Sequence, residues 1–348
     1  MSFQVTVKPS NHQFEANAEQ SVLDAALAAG IVLPYSCKSG ACSTCKGKVL
    51  AGQFDAGESP AQVLSTEELE QGYTLLCQAH AKSDLIIEST EVRLASDIQI
   101  RKLPSRVIAM EQLAPDVMKL TLQLPATETF RFYAGQYVEI LLKDGRRRSY
   151  SMANPPHAAS SLELHLRHMP GGLFTDHVFG SGATQMKERE ILRLEGPFGS
   201  FFLREDTDLP IIMLASGTGF APIKAIVEHM IENQIHRPVT LYWGGRRPRD
   251  IYMMDLATSW INMLPGFKFV PVVSDALPED SWSGRIGLVH QAVMQDFSDM
   301  SGHQVYACGA PIVVESARRD FTSLCRLPEQ AFFADSFVSA ADSAAKPA

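Results

Sequence analysis

The sequence predicts three folds in series: a small α+β domain, an all-β antiparallel domain, and an α/β domain with a mostly parallel sheet. Three observations carry this. Three cysteines crowd into nine positions between Cys37 and Cys45, and Cys77 follows 32 positions later. Between residues 104 and 200, apolar and polar residues alternate in short runs broken by Gly, Pro and Asp. From Pro210 onward, short wholly apolar runs alternate with helical spacings. A chain of 348 residues also exceeds what one hydrophobic core usually serves.

Element by element, residues 3–9 alternate like a strand and stop at Pro9, with Phe14–Ala16 as a hairpin partner. Val22, Leu23, Ala26 and Leu27 repeat at helical spacing up to Gly30. The cysteine-bearing segment reads as a loop, followed by strands at Gly47–Ala51 and Leu85–Thr90. Residues 93–103 lack periodicity and read as a linker. Strands are then expected at 105–110, 117–124, 137–142, 162–168 and 191–194, giving a barrel over 104–203. In the last domain, 204–338, strands are expected at 211–215, 239–243, 268–273 and 304–307. Helices are expected at 223–231, 251–263, 287–297 and 311–324. The small, polar residues 339–348 read as a frayed tail.

The composition, 45% hydrophobic and 20% charged, fits a soluble globular protein. A net charge of -8 argues against wrapping nucleic acid. The charge is uneven: residues 1–100 are net -6, residues 101–203 net +3 and residues 204–348 net -5. No charged segment followed by a cleavable apolar one opens the chain, and runs such as Leu209–Ala215 are too short to cross a bilayer. Six cysteines in this length form no disulfide framework, and their crowding suggests metal. The cytoplasm is the expected compartment. Oligomeric state is not assigned by the sequence.

Cys37-Lys-Ser-Gly-Ala-Cys42-Ser-Thr-Cys45 has the Cys-x4-Cys-x2-Cys spacing of a plant-type [2Fe–2S] centre, with Cys77 as fourth ligand. Two sulfide-bridged irons need four thiolates, three of them from a tight loop that Gly40 and small side chains permit. Backbone N–H groups of such a loop can face the sulfides. Four soft thiolates would also suit zinc, but zinc sites usually supply cysteines as two close pairs, and Cys77 stands alone. Residues 1–92 resemble plant-type ferredoxins at Pro34-Tyr35-Ser36-Cys37, Gly40-Ala41-Cys42, Cys45 and Leu76-Cys77. The resemblance implies a β-grasp fold and a one-electron carrier. Ser43 departs from it, since many members have glycine there.

Downstream, Arg148-Ser149-Tyr150-Ser151 offers a bidentate cation and an aromatic face in a loop after an apolar strand. Pro170-Gly171-Gly172-Leu173-Phe174-Thr175 permits close backbone approach to a phosphate. Gly196-Pro197-Phe198-Gly199 is a rigid turn. In this order they resemble the ferredoxin–NADP reductase superfamily over residues 104–337. That resemblance implies FAD on a six-stranded barrel. Arg148 would pair with the pyrophosphate, Tyr150 stack on the flavin, Ser151 hydrogen-bond near N5, and Gly171–Thr175 cover the pyrophosphate. FMN is the second candidate.

Leu214-Ala-Ser216-Gly217-Thr218-Gly219-Phe220-Ala221-Pro222 follows a buried strand and opens a helix, as a dinucleotide site requires. Cys308-Gly309-Ala310-Pro311 ends another strand; the resemblance places it beside the nicotinamide, with Cys308 among the candidate catalytic residues. Ser274-Asp275 aligns with the position where NADPH users often carry arginine. A carboxylate there repels a 2'-phosphate, so NADH is favoured and NADPH is the second candidate, with Arg246, Arg247 and Arg249 as counterweights. Phe332-Phe333-Ala334-Asp335-Ser336-Phe337 resembles the terminus that reaches the flavin edge, with Phe337 shielding the ring and Asp335 close by. Many plant-type members have glutamate and tyrosine here.

The module order ferredoxin, flavin, nicotinamide resembles the reductase components of multicomponent oxygenases. It also resembles the CDP-6-deoxy-glucoseen reductase type, which serves a pyridoxamine-phosphate-dependent dehydratase. The resemblance implies a relay in which hydride from NADH reduces FAD and single electrons pass through [2Fe–2S] to an oxygenase, or alternatively to a dehydratase. A non-catalytic interaction protein with degenerate redox domains is the reading from another class.

Overall fold

The computed structural model describes residues 2–40, 42–57, 63–89, 91–94, 98–180 and 185–337. Ala41, Thr90, part of the expected linker and the expected tail from 339 lie outside them. The chain divides into two compact units, one of residues 1–99 with 334–348, the other of 100–333.

The first unit holds a mixed five-stranded sheet. Strand β1 (Ser2–Lys8) forms a hairpin with β2 (His12–Asn17) and pairs in parallel with β8 (Leu85–Glu88). Beyond β8 lie β4 (Lys46–Ala51) and β6 (Tyr73–Leu75), giving the order β2-β1-β8-β4-β6. Helix α1 (Val22–Ala28) buries Val22, Leu23, Ala25 and Ala26, and Ser21 caps it by accepting from the Asp24 N–H. Short pairs complete the unit: β3 (Ile31–Val32) with β9 (Arg93–Leu94), and β5 (Phe54–Asp55) with β7 (His80–Ala81). Helix α2 (Thr66–Glu70) carries a Ser65–Glu68 capping box.

The second unit opens with a six-stranded antiparallel sheet. It comprises β10 (Arg101–Ala114), β11 (Val117–Gln123), β12 (Tyr137–Leu141), β13 (Arg147–Ser151), β14 (Ser161–Arg167) and β15 (Ile191–Phe198). The order is β13-β12-β15-β10-β11-β14, and an antiparallel bridge between Met152 and Leu164 joins its two edges into a barrel. Val107, Leu120, Leu122, Val138, Ile140, Leu164 and Leu194 fill the interior. Helix α3 (Leu173–Phe179) closes one end with Phe174 and Val178.

The remaining sheet has the order β19-β18-β17-β16-β20-β21. Its strands are β16 (Ile211–Ser216), β17 (Val239–Gly245), β18 (Phe267–Val273), β19 (Arg285–Ile286), β20 (Gln304–Gly309) and β21 (Phe332–Ser336). The ladders from β19 through β20 are parallel. Its helices are α4 (Phe220–Glu232), α5 (Met254–Ser259), α6 (Val289–Asp296) and α7 (Pro311–Leu324). Order reverses at β16, whose neighbours are β17 and β20, and ligands bind at such switch points.

Three expectations are corrected. Arg148–Ser151 lies in strand β13, not in a loop: Asp144 and Gly145, the latter at φ +84°, turn the chain so that these residues pair with Tyr137–Ile140. The linker loses both ends, because Arg93–Leu94 pairs with Ile31–Val32 and Arg101–Leu103 pairs with Leu194–Gly196. The helix expected over 251–263 is shorter, with α5 running into a 3₁₀ turn at Trp260–Asn262.

Candidate functional site

The cysteine loop runs between β3 and β4. Its tight winding rests on three left-handed residues, Lys38, Gly40 and Ser43, at φ +55°, +79° and +49°. A left-handed Ser43 explains why glycine suits that position. A Cβ on Gly40 would sit 3.0 Å from the Gln78 side chain, whose amide donates to the carbonyls of Lys38 (3.3 Å) and Cys77 (3.0 Å). Gln78 thereby ties the turn bearing the fourth cysteine to the loop bearing the other three. The Leu76 N–H donates to the Cys45 carbonyl at 3.0 Å.

The sulfurs gather two and two. The neighbouring Cys37 thiol, then burial, push Cys42 well above the ordinary thiol pKa. The Cys77 thiol and burial do the same to Cys45, while Cys77 is drawn down by the hydrogen bond from Cys45. Cys42 also faces Cys45, and Cys37 faces Cys77. Four ionised thiols cannot share this buried space without cationic charge among them. A paired arrangement suits two irons, each held by two cysteines, better than one zinc. The Ser39 N–H lies 3.4 Å from Cys37 Sγ, and Gly40 N–H and the Gln78 amide face Cys77 Sγ. These donors fit an anionic cluster.

Of the terminal residues, Asp335 is buried within the first unit, where the Ser36 hydroxyl, next to Cys37, donates to its carboxylate at 2.5 Å. Phe337 is half-buried.

On the barrel, alternation along β13 separates Arg147 from Arg148. Arg147 is held by Glu139 (2.7 Å) and Glu195 (2.6 Å). The Arg148 guanidinium donates from Nη1 to the Arg147 carbonyl at 2.8 Å, and its remaining donors suit a phosphate. Tyr150 lies on the same face, its ring 5.6 Å from Phe174. Burial raises its phenol above the ordinary tyrosine pKa against the pull of Arg148, so it remains a donor. Ser151 is buried one residue further, and Ser149 is exposed. In the following loop, Gly171 adopts φ +82° with open space where a Cβ would be. A Cβ on Gly172 would strike Thr175 Oγ1 at 2.5 Å. Thr175 Oγ1 lies 2.9 Å from the Met169 carbonyl, so its hydroxyl locks the loop. Phe174 packs in the barrel core, and Leu173 is exposed. A cation, an aromatic face and an open glycine turn with no side-chain cap on α3 fit a flavin dinucleotide.

At the switch point, Gly217–Gly219 forms a 3₁₀ turn leading into α4, with Thr218 buried. A Cβ on Gly219 would meet the Cys308 carbonyl oxygen at 2.2 Å, and one on Gly309 would meet the Ser216 oxygen at 2.4 Å. The two loops therefore cross in backbone contact, bringing Cys308, fully buried, beside the nucleotide turn. Pro311 opens α7 where a missing N–H costs nothing. The Trp243 indole donates to the Gly217 carbonyl at 3.1 Å and stacks on Phe220 at 3.8 Å. Ser274 and Asp275 are exposed just past β18, anchored by N–H bonds to Gly245 and Arg246. Arg247 is gripped by Asp280 at 2.6 and 2.8 Å, which commits its hydrogen-bonding edge, while its charge still interacts with Asp275.

One residue escaped the sequence reading. Arg167 ends β14, 3.2 Å from Asp116, and its guanidinium lies 2.9 Å from where a Cβ of Gly217 would stand. Its Nη2 is buried without a hydrogen-bond partner. An arginine closing an alternating strand just before Pro170-Gly171-Gly172 was the available signal.

Comparison with known proteins agrees with this geometry. The chain matches three family descriptions: a 2Fe-2S iron-sulfur cluster binding domain at 5–82, an oxidoreductase FAD-binding domain at 104–203 and an oxidoreductase NAD-binding domain at 213–319. It is 39% identical to CDP-6-deoxy-L-threo-D-glycero-4-hexulose-3-dehydrase reductase of Yersinia pestis, covering 97% of this chain and 99% of the relative. It is 37% identical to reductase component 1 of terephthalate 1,2-dioxygenase from Comamonas sp., covering 97% and 98%. Among solved structures, the Amycolatopsis reductase GcoB matches with a TM-score of 0.76 at 32% identity, covering 97% of this chain and 99% of that one. The chain belongs to the family of iron–sulfur flavoprotein reductases that join a [2Fe–2S] ferredoxin domain to an FAD- and NAD-binding oxidoreductase module.

Proposed function

We propose that this reductase draws on NADH and delivers single electrons to the terminal component of a multicomponent oxygenase. The observation that carries the electron-transfer reading is the two-and-two gathering of Cys37 with Cys42 and Cys45 with Cys77. Three domains, at 1–92, 104–203 and 204–338, are supported by the three matched spans. When bound, FAD accepts a hydride and releases its electrons singly, and the [2Fe–2S] cluster carries one electron at a time.

The chain's own residues set up this chemistry. Arg148 neutralises the flavin pyrophosphate, and the open Gly171–Gly172 turn lets it approach the backbone. Tyr150 presents its ring to the isoalloxazine, held in place by Phe174, and Ser151 hydrogen-bonds near N5. Gly217–Gly219 and Arg167 receive the nicotinamide dinucleotide's phosphates. Cys308 and Gly309 line the nicotinamide's place. Asp275 accepts from the adenosine ribose and repels a 2'-phosphate, which favours NADH. Hydride transfer requires no side-chain acid or base.

The oxygenase partner is supported by the terephthalate dioxygenase component. The second reading, a dehydratase partner, is favoured by the Yersinia relative at 39% identity. Among the described residues no helix is long and apolar enough to cross a membrane. We place the protein in the cytoplasm, where thiolate ligands stay reduced. The purified reductase is mixed anaerobically with a terminal oxygenase or with a pyridoxamine-phosphate-dependent dehydratase. Acceptor-stimulated NADH oxidation at least about tenfold above background with the oxygenase alone is expected, equivalent to about 1.4 kcal/mol. Stimulation by the dehydratase alone replaces the first reading with the second.

A further inference from the structure

Lys224 is nine-tenths buried in the middle of an apolar stretch of α4, Phe220-Ala-Pro-Ile-Lys-Ala-Ile-Val227. A lysine is buried only when its charge and its three donors are met. Here all three are: Nζ lies 3.1 Å from the Ala153 carbonyl, 3.0 Å from Glu228 Oε2 and 3.3 Å from Glu163 Oε1. Two of these acceptors, Ala153 and Glu163, belong to the barrel. Ala153 stands two residues past Ser151, at the end of the strand that carries the flavin residues. Lys224 stands five residues past Gly219, on the helix the nucleotide turn opens.

The contact extends into a buried cluster. Glu163 also accepts from His165 Nε2 at 2.8 Å, and His165 Nδ1 lies 2.9 Å from the Tyr252 hydroxyl. Burial lowers His165 and raises Tyr252, so the imidazole is neutral and the phenol stays protonated. With Nε2–H donated to Glu163, Nδ1 accepts from Tyr252. Tyr252 packs edge-on against Trp243 at 5.1 Å, and Trp243 holds the Gly217 carbonyl. A continuous chain of contacts thus runs from the flavin strand to the nucleotide turn by two routes, one through α4 and one through Trp243.

We infer that Lys224 is a positioning residue for hydride transfer, fixing the nucleotide turn in register with the flavin strand through the Ala153 carbonyl and Glu163. This rests on the function proposed above. It assigns Lys224 no contact with substrate, and predicts that its loss misaligns the two rings while leaving dinucleotide affinity in place. Misplacement by about 1 Å can cost about 100-fold in rate.

The test uses flavin- and iron-replete protein carrying Lys224→Met or Lys224→Arg, with Lys224→Met/Glu228→Gln as a variant that also removes the Glu228 charge, Glu163 keeping its hydrogen bond from His165. Binding of NAD+ is measured by calorimetry, and flavin reduction by NADH in single turnovers. The expected result for Lys224→Met is a limiting rate about 10- to 100-fold lower, with NAD+ affinity within about threefold. Lys224→Arg should recover most of the rate. A rate within about threefold of wild type overturns the inference. So does a loss confined to affinity, or an arginine variant as slow as the methionine one. If Lys224→Met loses its flavin, the double variant decides by the same criteria, and loss of flavin there as well overturns the inference. Wild-type flavin that NADH does not reduce contradicts the proposed function itself, a result separate from an unaltered Lys224→Met.

Discussion

Cys77 is the residue on which the metal centre depends most narrowly. It arrives from a different segment than Cys37, Cys42 and Cys45, and it reaches them because Gln78 and Leu76 bond to the loop. Cys77→Ser should lower bound iron from about two per chain to less than about half of that, with flavin retained. Iron analysis and the electron paramagnetic resonance signal of the reduced protein check this. Asp275 carries the cofactor choice. Arg247 is committed to Asp280, and the Asp275 carboxylate lies exposed just past β18. NADH should reduce the flavin faster than NADPH. Asp275→Ala should narrow the ratio of their kcat/KM values by about tenfold, the effect of about 1.4 kcal/mol of lost repulsion.

At the level of elements, the ion cluster between β14 and α4 gives the protein a specific acid sensitivity. Burial alone would raise Glu163, but the His165 hydrogen bond and the Lys224 charge hold it at about 2. A depressed carboxylate stabilises the fold above its unfolded value near ~4.3 and loses that stabilisation as pH falls toward its folded value. At ~1.4 kcal/mol per pKa unit the loss approaches about 3 kcal/mol. Between about pH 4.5 and 2, Tm should therefore fall more steeply for wild type than for Glu163→Gln. Acid loss of the iron–sulfur centre is common to both proteins and cancels in the comparison. None of this cluster was legible in the sequence. Lys224 interrupts an apolar helix, and only the position of Ala153 and Glu163 shows why. Strand β13 was hidden for a related reason: Arg146, Arg147 and Arg148 look like a solvated turn until the pairing of Arg147 and Arg148 with β12, and the Glu139 and Glu195 partners of Arg147, are known. Periodic elements were legible, because alternation in β1 or β14 and helical spacing in α7 reflect one buried face each. The cysteine spacing was legible because a covalent metal centre dictates it. Arg167 was not, since its significance lies in its approach to Gly217.

For the whole molecule, one chain joins a two-electron donor site to a one-electron carrier. The nucleotide turn lies at the reversal of a parallel sheet, the flavin residues on a closed barrel, and the thiols in a loop of the first unit. Residues 1–100 carry a net charge of -6 and residues 101–203 a net charge of +3, so the two modules differ in the charge they offer a partner. Electrons entering from NADH reach the four-cysteine centre through the flavin, and anaerobic stopped-flow mixing of the oxidised protein with NADH follows that passage. Flavin absorbance should bleach first, and cluster absorbance should follow at a rate independent of NADH concentration. A flavin that bleaches while the cluster stays oxidised would contradict the relay.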